Sequence, residues 1–103
     1  MNDGRPAFIS TMIETSITDV LQALADPARL EIVRGLLDEE LRACGTFTDL
    51  GLSPSTLSHH FKVLREAGLI ETEVDGRRRL NRLRRRELDA AFPGLLDAVL
   101  AGR

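Results

Sequence analysis

Residues 53–83 fix most of what this chain can become. They open with SPSTLSHHFKVLREAGL, in which Ser53-Pro54 marks a helix start. A serine hydroxyl accepts from the free first-turn amides, and proline is tolerated at the first helical position. Leu57, Phe61 and Leu64 then recur at spacings of four and three, the apolar stripe of a helix over 53–67. Gly68 stands where a left-handed residue ends it. The period changes at once: LIETEV, Asp75-Gly76 and RRRLNRL read as two extended segments joined by a type I′ hairpin over 69–83. A short helix is expected over 46–50, closed by Gly51. Helix, turn, helix and hairpin in that order define a winged helix-turn-helix, with 46–67 as the helix-turn-helix and 69–83 as the wing.

The flanking segments are helical. Ile9, Met12, Ile13, Ile17, Val20, Leu21 and Leu24 share one face of a helix over 8–25. Asp26-Pro27 repeats the cap-and-proline signal and opens a helix to about residue 38, with Leu30, Val33 and Leu37 inward and Ile32 and Leu36 widening the stripe. Residues 38–45 read as a connector or the end of that helix. A last helix over 86–101 carries Leu88, Phe92, Leu95, Leu96, Val99 and Leu100 on one side, kinked or split at Pro93-Gly94. The expected fold is mainly α with a small β-hairpin: a single domain over 1–103 of about five helices and a two-stranded wing.

Composition narrows the function. With 43% hydrophobic and 29% charged residues, the 103-residue chain is an ordinary globular domain and not a disordered one. Its one cysteine, Cys44, has no internal partner, which fits a reducing cytoplasm. No apolar run approaches the roughly 20 residues of a membrane span. MNDGRPAFIS lacks the pattern of a secretory signal, so a cytoplasmic location is expected.

The net charge of −2 argues against a nucleic-acid partner only if it is spread evenly, and it is not. Residues 1–50 hold four arginines against nine acids, a net −5; residues 51–103 hold nine arginines and Lys62 against seven acids, a net +3. RRRLNRLRRR, residues 77–86, contains seven arginines and no acid. An acidic protein can still present one basic face to phosphates.

With Leu57, Phe61 and Leu64 inward, the other side of helix 53–67 shows Ser55, His59, Lys62 and Glu66, flanked by Thr56 and Ser58. Short donors and acceptors with one cation suit base edges and phosphates in a major groove. The predicted DNA-contacting residues are Ser53, Ser55, Thr56, Ser58, His59 and Lys62 on this helix, with Arg77, Arg78 and Arg79 on the wing, along the backbone or in the minor groove. Adjacent helical residues point about 100° apart, so His59 and His60 make a poor chelating pair. His59 faces outward; His60 lies at the edge of the inward stripe and is expected to pack or to bond backbone. Arg65, near the helix end, is expected to pair with acids of the first half.

ADPARLEIVRGL and LSPSTLSHHFKVLREAGLIETEVDGRRRLNRL together resemble the ArsR-type family of small bacterial winged-helix repressors. Its recognition helix reads S-x-S-x-x-S-x-H-L-x-x-L-R-x-A-G-L-V, followed by a wing with glycine at its tip, and the match covers about residues 18–84. The resemblance implies a homodimer on a twofold-symmetric double-stranded DNA operator, with helices 8–25 and 86–101 at the interface. It also implies control of transcription relieved, or occasionally enabled, by an effector whose identity the residues do not give. The broad apolar stripes of the terminal helices agree, since a dimer covers what a small domain leaves over.

The metal sites common among such relatives are incomplete. Arg42 stands where Cys44 would need a second cysteine, and the last helix offers Glu87, Asp89 and Asp97 without a histidine. Cys44 then reads as a small buried hydrophobe, and no metal or other cofactor is implied. Two alternatives stay open: a nickel- or zinc-responsive regulator with a non-standard site, or a winged-helix protein-interaction module. The second is disfavoured because the outward face of helix 53–67 lacks an apolar anchor. No phosphate loop, nucleophile elbow or spaced carboxylate pair points to an enzyme.

Overall fold

The computed structural model describes residues 15–38, 42–43 and 47–102. Five helices and three strands follow one another: α1 (Ile17–Leu24), α2 (Pro27–Asp38), β1 (Arg42–Ala43), a 3₁₀ turn (Thr48–Leu50), α3 (Pro54–Glu66), β2 (Ile70–Asp75), β3 (Arg78–Leu83), α4 (Arg85–Ala91) and α5 (Leu95–Ala101). This is the winged helix-turn-helix that the residue pattern predicts. The part of the first helix expected over residues 8–14, and Cys44, lie outside the described residues.

Each α-helix start near the site has a side-chain cap. Ser16 Oγ accepts the amide of Asp19 at 3.0 Å. Asp26 Oδ1 accepts those of Ala28 (2.8 Å) and Arg29 (3.2 Å), with Pro27 behind it. The inward stripe of α2 is rotated from the expected one. Ile32, Val33 and Leu36 are buried, while Leu30 is half-buried and Leu37 exposed. Both stripes satisfy helical spacing, and packing against α1, α3 and β3 selects between them.

The core joins all layers. Val20 from α1, Ile32 and Val33 from α2, Phe61 and Leu64 from α3, Leu69 and Ile70 entering β2, Leu88 from α4 and Leu96 from α5 are buried. Phe47, just before the 3₁₀ turn, meets Phe61 edge to face with centroids 5.5 Å apart, a favourable aromatic geometry. The helix expected over 86–101 is split: α4 and α5 are separated by Gly94, whose φ is +81°. Arg85 spans the break, donating from Nε to Asp89 at 3.2 Å and from Nη2 to Asp97 at 2.5 Å. These two carboxylates raise its pKa. Arg34 ties α5 to α2 by donating to the carbonyls of Leu100 (3.3 Å) and Gly102 (2.7 Å).

The sheet has the order β1-β3-β2, antiparallel throughout. Residues 42–43, expected in a connector, form a third strand against Asn81 and Leu80. The hairpin register also differs by one residue from expectation. Asp75 pairs with Arg78, which makes Gly76-Arg77 the two-residue loop. The positive φ (+63°) falls on Gly76, and Asp75 closes the loop through a 3.6 Å ion pair with Arg78.

A candidate nucleic-acid interface

The geometry of α3 begins at its cap. Ser53 adopts extended backbone and its Oγ accepts the amide of Thr56 at 3.2 Å. The same hydroxyl donates to Thr56 Oγ1 at 2.9 Å. With its one proton so used, Ser53 can only accept in its 3.3 Å contact with Ser55 Oγ. Ser53, Ser55 and Thr56 therefore form one hydroxyl cluster at the helix N-terminus, where the helix dipole favours an anion. Ser53, expected above to contact DNA, also caps the helix.

Along the helix, Leu57, His60, Phe61 and Leu64 are buried, while Ser55, Thr56, Ser58, His59, Lys62 and Glu66 are exposed. The histidine pair divides as the helical angle requires. The ring of His59 stands in solvent, and that of His60 is 8% exposed with its plane tilted 49° from its neighbour's. His60 bonds a side chain rather than backbone: Arg29 Nη1 lies 3.0 Å from its Nδ1.

At the other end, α3 stops in a Schellman turn. The amide of Gly68 donates to Arg65 O (3.1 Å) and that of Leu69 to Leu64 O (3.0 Å). Leu64 and Leu69 are both fully buried, the apolar contact that accompanies this motif. The turn feeds directly into β2, so the end of α3 sets where the wing begins. Arg65 does not use an acid of the first half in its described contact. It donates to Thr72 Oγ1 on β2 at 3.3 Å, and Thr72 donates to Asn81 Oδ1 on β3 at 2.8 Å. Thr72 and Asn81 are directly paired across the hairpin. This chain from helix to both wing strands was not predicted. Asn81 stands between Leu80 and Arg82 and is fully buried, the inner end of this chain.

The three wing arginines do not share a face. Arg77 is in the loop, and Arg78 and Arg79 are successive on β3 and so point to opposite sides of the ribbon. All three are exposed. Arg78 is paired with Asp75, and Arg82 with Glu71 across the strands. Among the described residues, Lys62, Arg77 and Arg79 have no carboxylate within ion-pair distance. Arg86, at the start of α4, is likewise exposed and in none of the described ion pairs. Among the same residues no group of three or more His, Cys, Asp or Glu side chains is placed to hold a metal ion. No described helix is long and apolar enough to cross a membrane.

A helix with a polar outer face, clamped on a core and followed by an arginine-bearing hairpin, defines a winged helix-turn-helix domain of the DNA-binding kind. Residues 26–72 match the model of the family described as "Bacterial regulatory protein, arsR family". The chain is 37% identical over 83 residues to the HTH-type transcriptional regulator YceK of Bacillus subtilis (strain 168), covering 78% of this chain and 82% of that one. It is 37% identical over 73 residues to the arsenical resistance operon repressor of Staphylococcus xylosus, covering 71% and 70%. Its fold is similar, with a TM-score of 0.67 at 26% identity over 98% of this chain and 88% of the other, to a homodimeric winged helix-turn-helix DNA-binding domain from Mycobacterium bovis solved by NMR. The protein belongs to the ArsR family of bacterial transcriptional regulators.

Proposed function

We propose that the protein is a homodimeric repressor that binds a twofold-symmetric operator with α3 in the major groove. Ser55, Thr56, Ser58, His59 and Lys62 face the DNA, Ser53 holds the helix start, and Arg77, Arg78 and Arg79 meet the backbone or the adjoining minor groove. The observation that carries this reading is the division of α3 into a buried inner stripe and an unbroken polar outer face. A rigid inner face lets the outer one discriminate, because each side chain reaches the groove in one position.

Two relatives support the finer points. The Staphylococcus xylosus protein is named a repressor, and the Mycobacterium bovis domain is a homodimer. In this chain Ile17 and Leu21 on α1 are exposed large apolar residues, 42% and 46%, which a second copy covers. Two recognition helices then stand about one DNA turn apart, roughly 34 Å.

Gel shifts with the promoter of its own gene and with random duplex test the reading. The wild type is expected to prefer the promoter, and His59→Ala to lose about 1–3 kcal/mol of that preference while keeping most of its affinity for random DNA. Equal binding of both duplexes by the wild type refutes it.

A further inference from the structure

We infer that Arg29 and His60 act as positioning residues for the recognition helix, and that their contact supports DNA discrimination; this rests on the DNA-binding reading above. Arg29 leaves the first turn of α2 and donates in three directions. Its Nε reaches the carbonyl of Ala23 at 2.7 Å and its Nη2 that of Gln22 at 3.5 Å, both at the end of α1. Its Nη1 reaches Nδ1 of His60, in the middle of α3, at 3.0 Å. One guanidinium thus ties the helix that precedes α2, α2 itself and the helix that faces DNA.

The chemistry of this contact is one-sided. A guanidinium has five donors, no acceptor, and keeps its proton in proteins. His60 Nδ1 must therefore be the acceptor, which fixes the neutral ring with its proton on Nε2. At 8% exposure, water has little access to replace the bond. A side chain without an acceptor at this point leaves the Arg29 guanidinium with no partner on α3.

Other charges face the pair. Asp26 lies at the start of α2, held by the amides of Ala28 and Arg29. Asp19 of α1 and Glu66 of α3 line the cleft of about 570 Å³ beside Arg29. His59 is the neighbouring ring, and Lys62 is exposed on the same helix. The 3₁₀ turn carries Asp49, in a separate cleft with Glu31 and Arg34. On β2, Glu71 is held by Arg82 and Asp75 by Arg78, with Glu73 between them. Losing the acceptor on His60 therefore frees α3 from its tie to α1 and α2 and leaves the phosphate-binding cations in place, so discrimination suffers before general affinity does.

The test uses the full chain and a duplex selected by the wild type from random-sequence DNA at about pH 8. Affinity for it, relative to a scrambled duplex, is compared at that pH between the wild type, His60→Leu and His60→Asn. The ratio is expected to fall about tenfold or more in His60→Leu, the scale of one lost hydrogen bond to a charged group. In His60→Asn the amide oxygen takes the place of Nδ1, and the ratio should hold within about threefold of the wild type. A ratio unchanged in His60→Leu, or lost equally in both variants, overturns the inference. If no duplex is selected at all, the DNA-binding reading fails instead. Long-range ¹⁵N–¹H NMR of the free protein at about pH 8 supplies an independent readout. The neutral ring of His60 with a bare Nδ1 is expected, and a proton on Nδ1 overturns the inference whatever the DNA result.

Discussion

Gly68 carries two constraints at one backbone position. Its φ of +83° is the left-handed region, and a Cβ there lies 2.4 Å from Thr15 Oγ1. Gly51 has a similar φ of +70°, but a Cβ there meets nothing within 4 Å. Left-handed strain on a non-glycine residue costs about 1–3 kcal/mol. Gly68→Ala should therefore lower the urea midpoint more than Gly51→Ala does, and the difference reports the contact with Thr15; equal losses refute that contact.

Asp26 is the second such residue. Burial raises its pKa, but the amides of Arg29 and Ala28 and the positive charge of Arg29 outweigh it, and the net shift is downward. A carboxyl whose folded pKa is lowered stabilises the fold above its unfolded value and loses that contribution as pH falls through the folded one. Asp26→Ala should cost about 1 kcal/mol near neutrality, as a lost N-cap does. The gap between variant and wild type in thermal melts should close in acid, below the usual carboxylate range. A gap unchanged by pH assigns the loss to something other than the charge.

At the level of elements, the wing is anchored more firmly than its glycine tip suggests. The Arg65–Thr72–Asn81 chain fastens both strands to the end of α3. The wing arginines are also unequal. Arg79→Ala should reduce the slope of log affinity against log salt by about one, and Arg78→Ala by less, because Asp75 already shares its charge. Equal slopes for the two variants contradict this division.

What the residues disclosed in advance, and what they hid, follows the range of the forces involved. Ser53-Pro54 and Gly68 are signals contained in their own segment, and α3 lies between them as predicted. β1 escaped because two residues carry no period, and only β3, far along the chain, makes them a strand. The hairpin register escaped because Asp75-Gly76 and Gly76-Arg77 both place Gly76 in the loop, and pairing along the whole ribbon selects between them. Arg29 gave no signal of reaching His60: its first turn says only that a helix begins, and the contact exists because the chain folds back. The outward set on α3 was legible from helical angle and the capping role of Ser53 from the proline after it, whereas the hydroxyl cluster of Ser53, Ser55 and Thr56 required the geometry.

For the molecule as a whole, the proposed dimer rests on the apolar surface of α1. Leu21 is 46% exposed, so a charge there costs the monomer's core little. Leu21→Glu should convert the proposed dimer to a monomer in size-exclusion chromatography with an unchanged circular dichroism spectrum. Retention of the dimer would falsify the placement of α1 at the interface.

The two strands of the wing have opposite signs. β2 carries Glu71, Glu73 and Asp75, while β3 carries Arg78, Arg79 and Arg82. The hairpin is therefore a polarised ribbon, acid along one edge and basic along the other. Toward a polyanion such a ribbon has only one favourable roll about its long axis, with β3 leading and β2 turned away. Near the tip the leading edge is open, because β1 pairs with β3 only at Leu80 and Asn81. The acids of β2 also keep that strand's free edge from pairing with another copy, since like charges brought edge to edge repel.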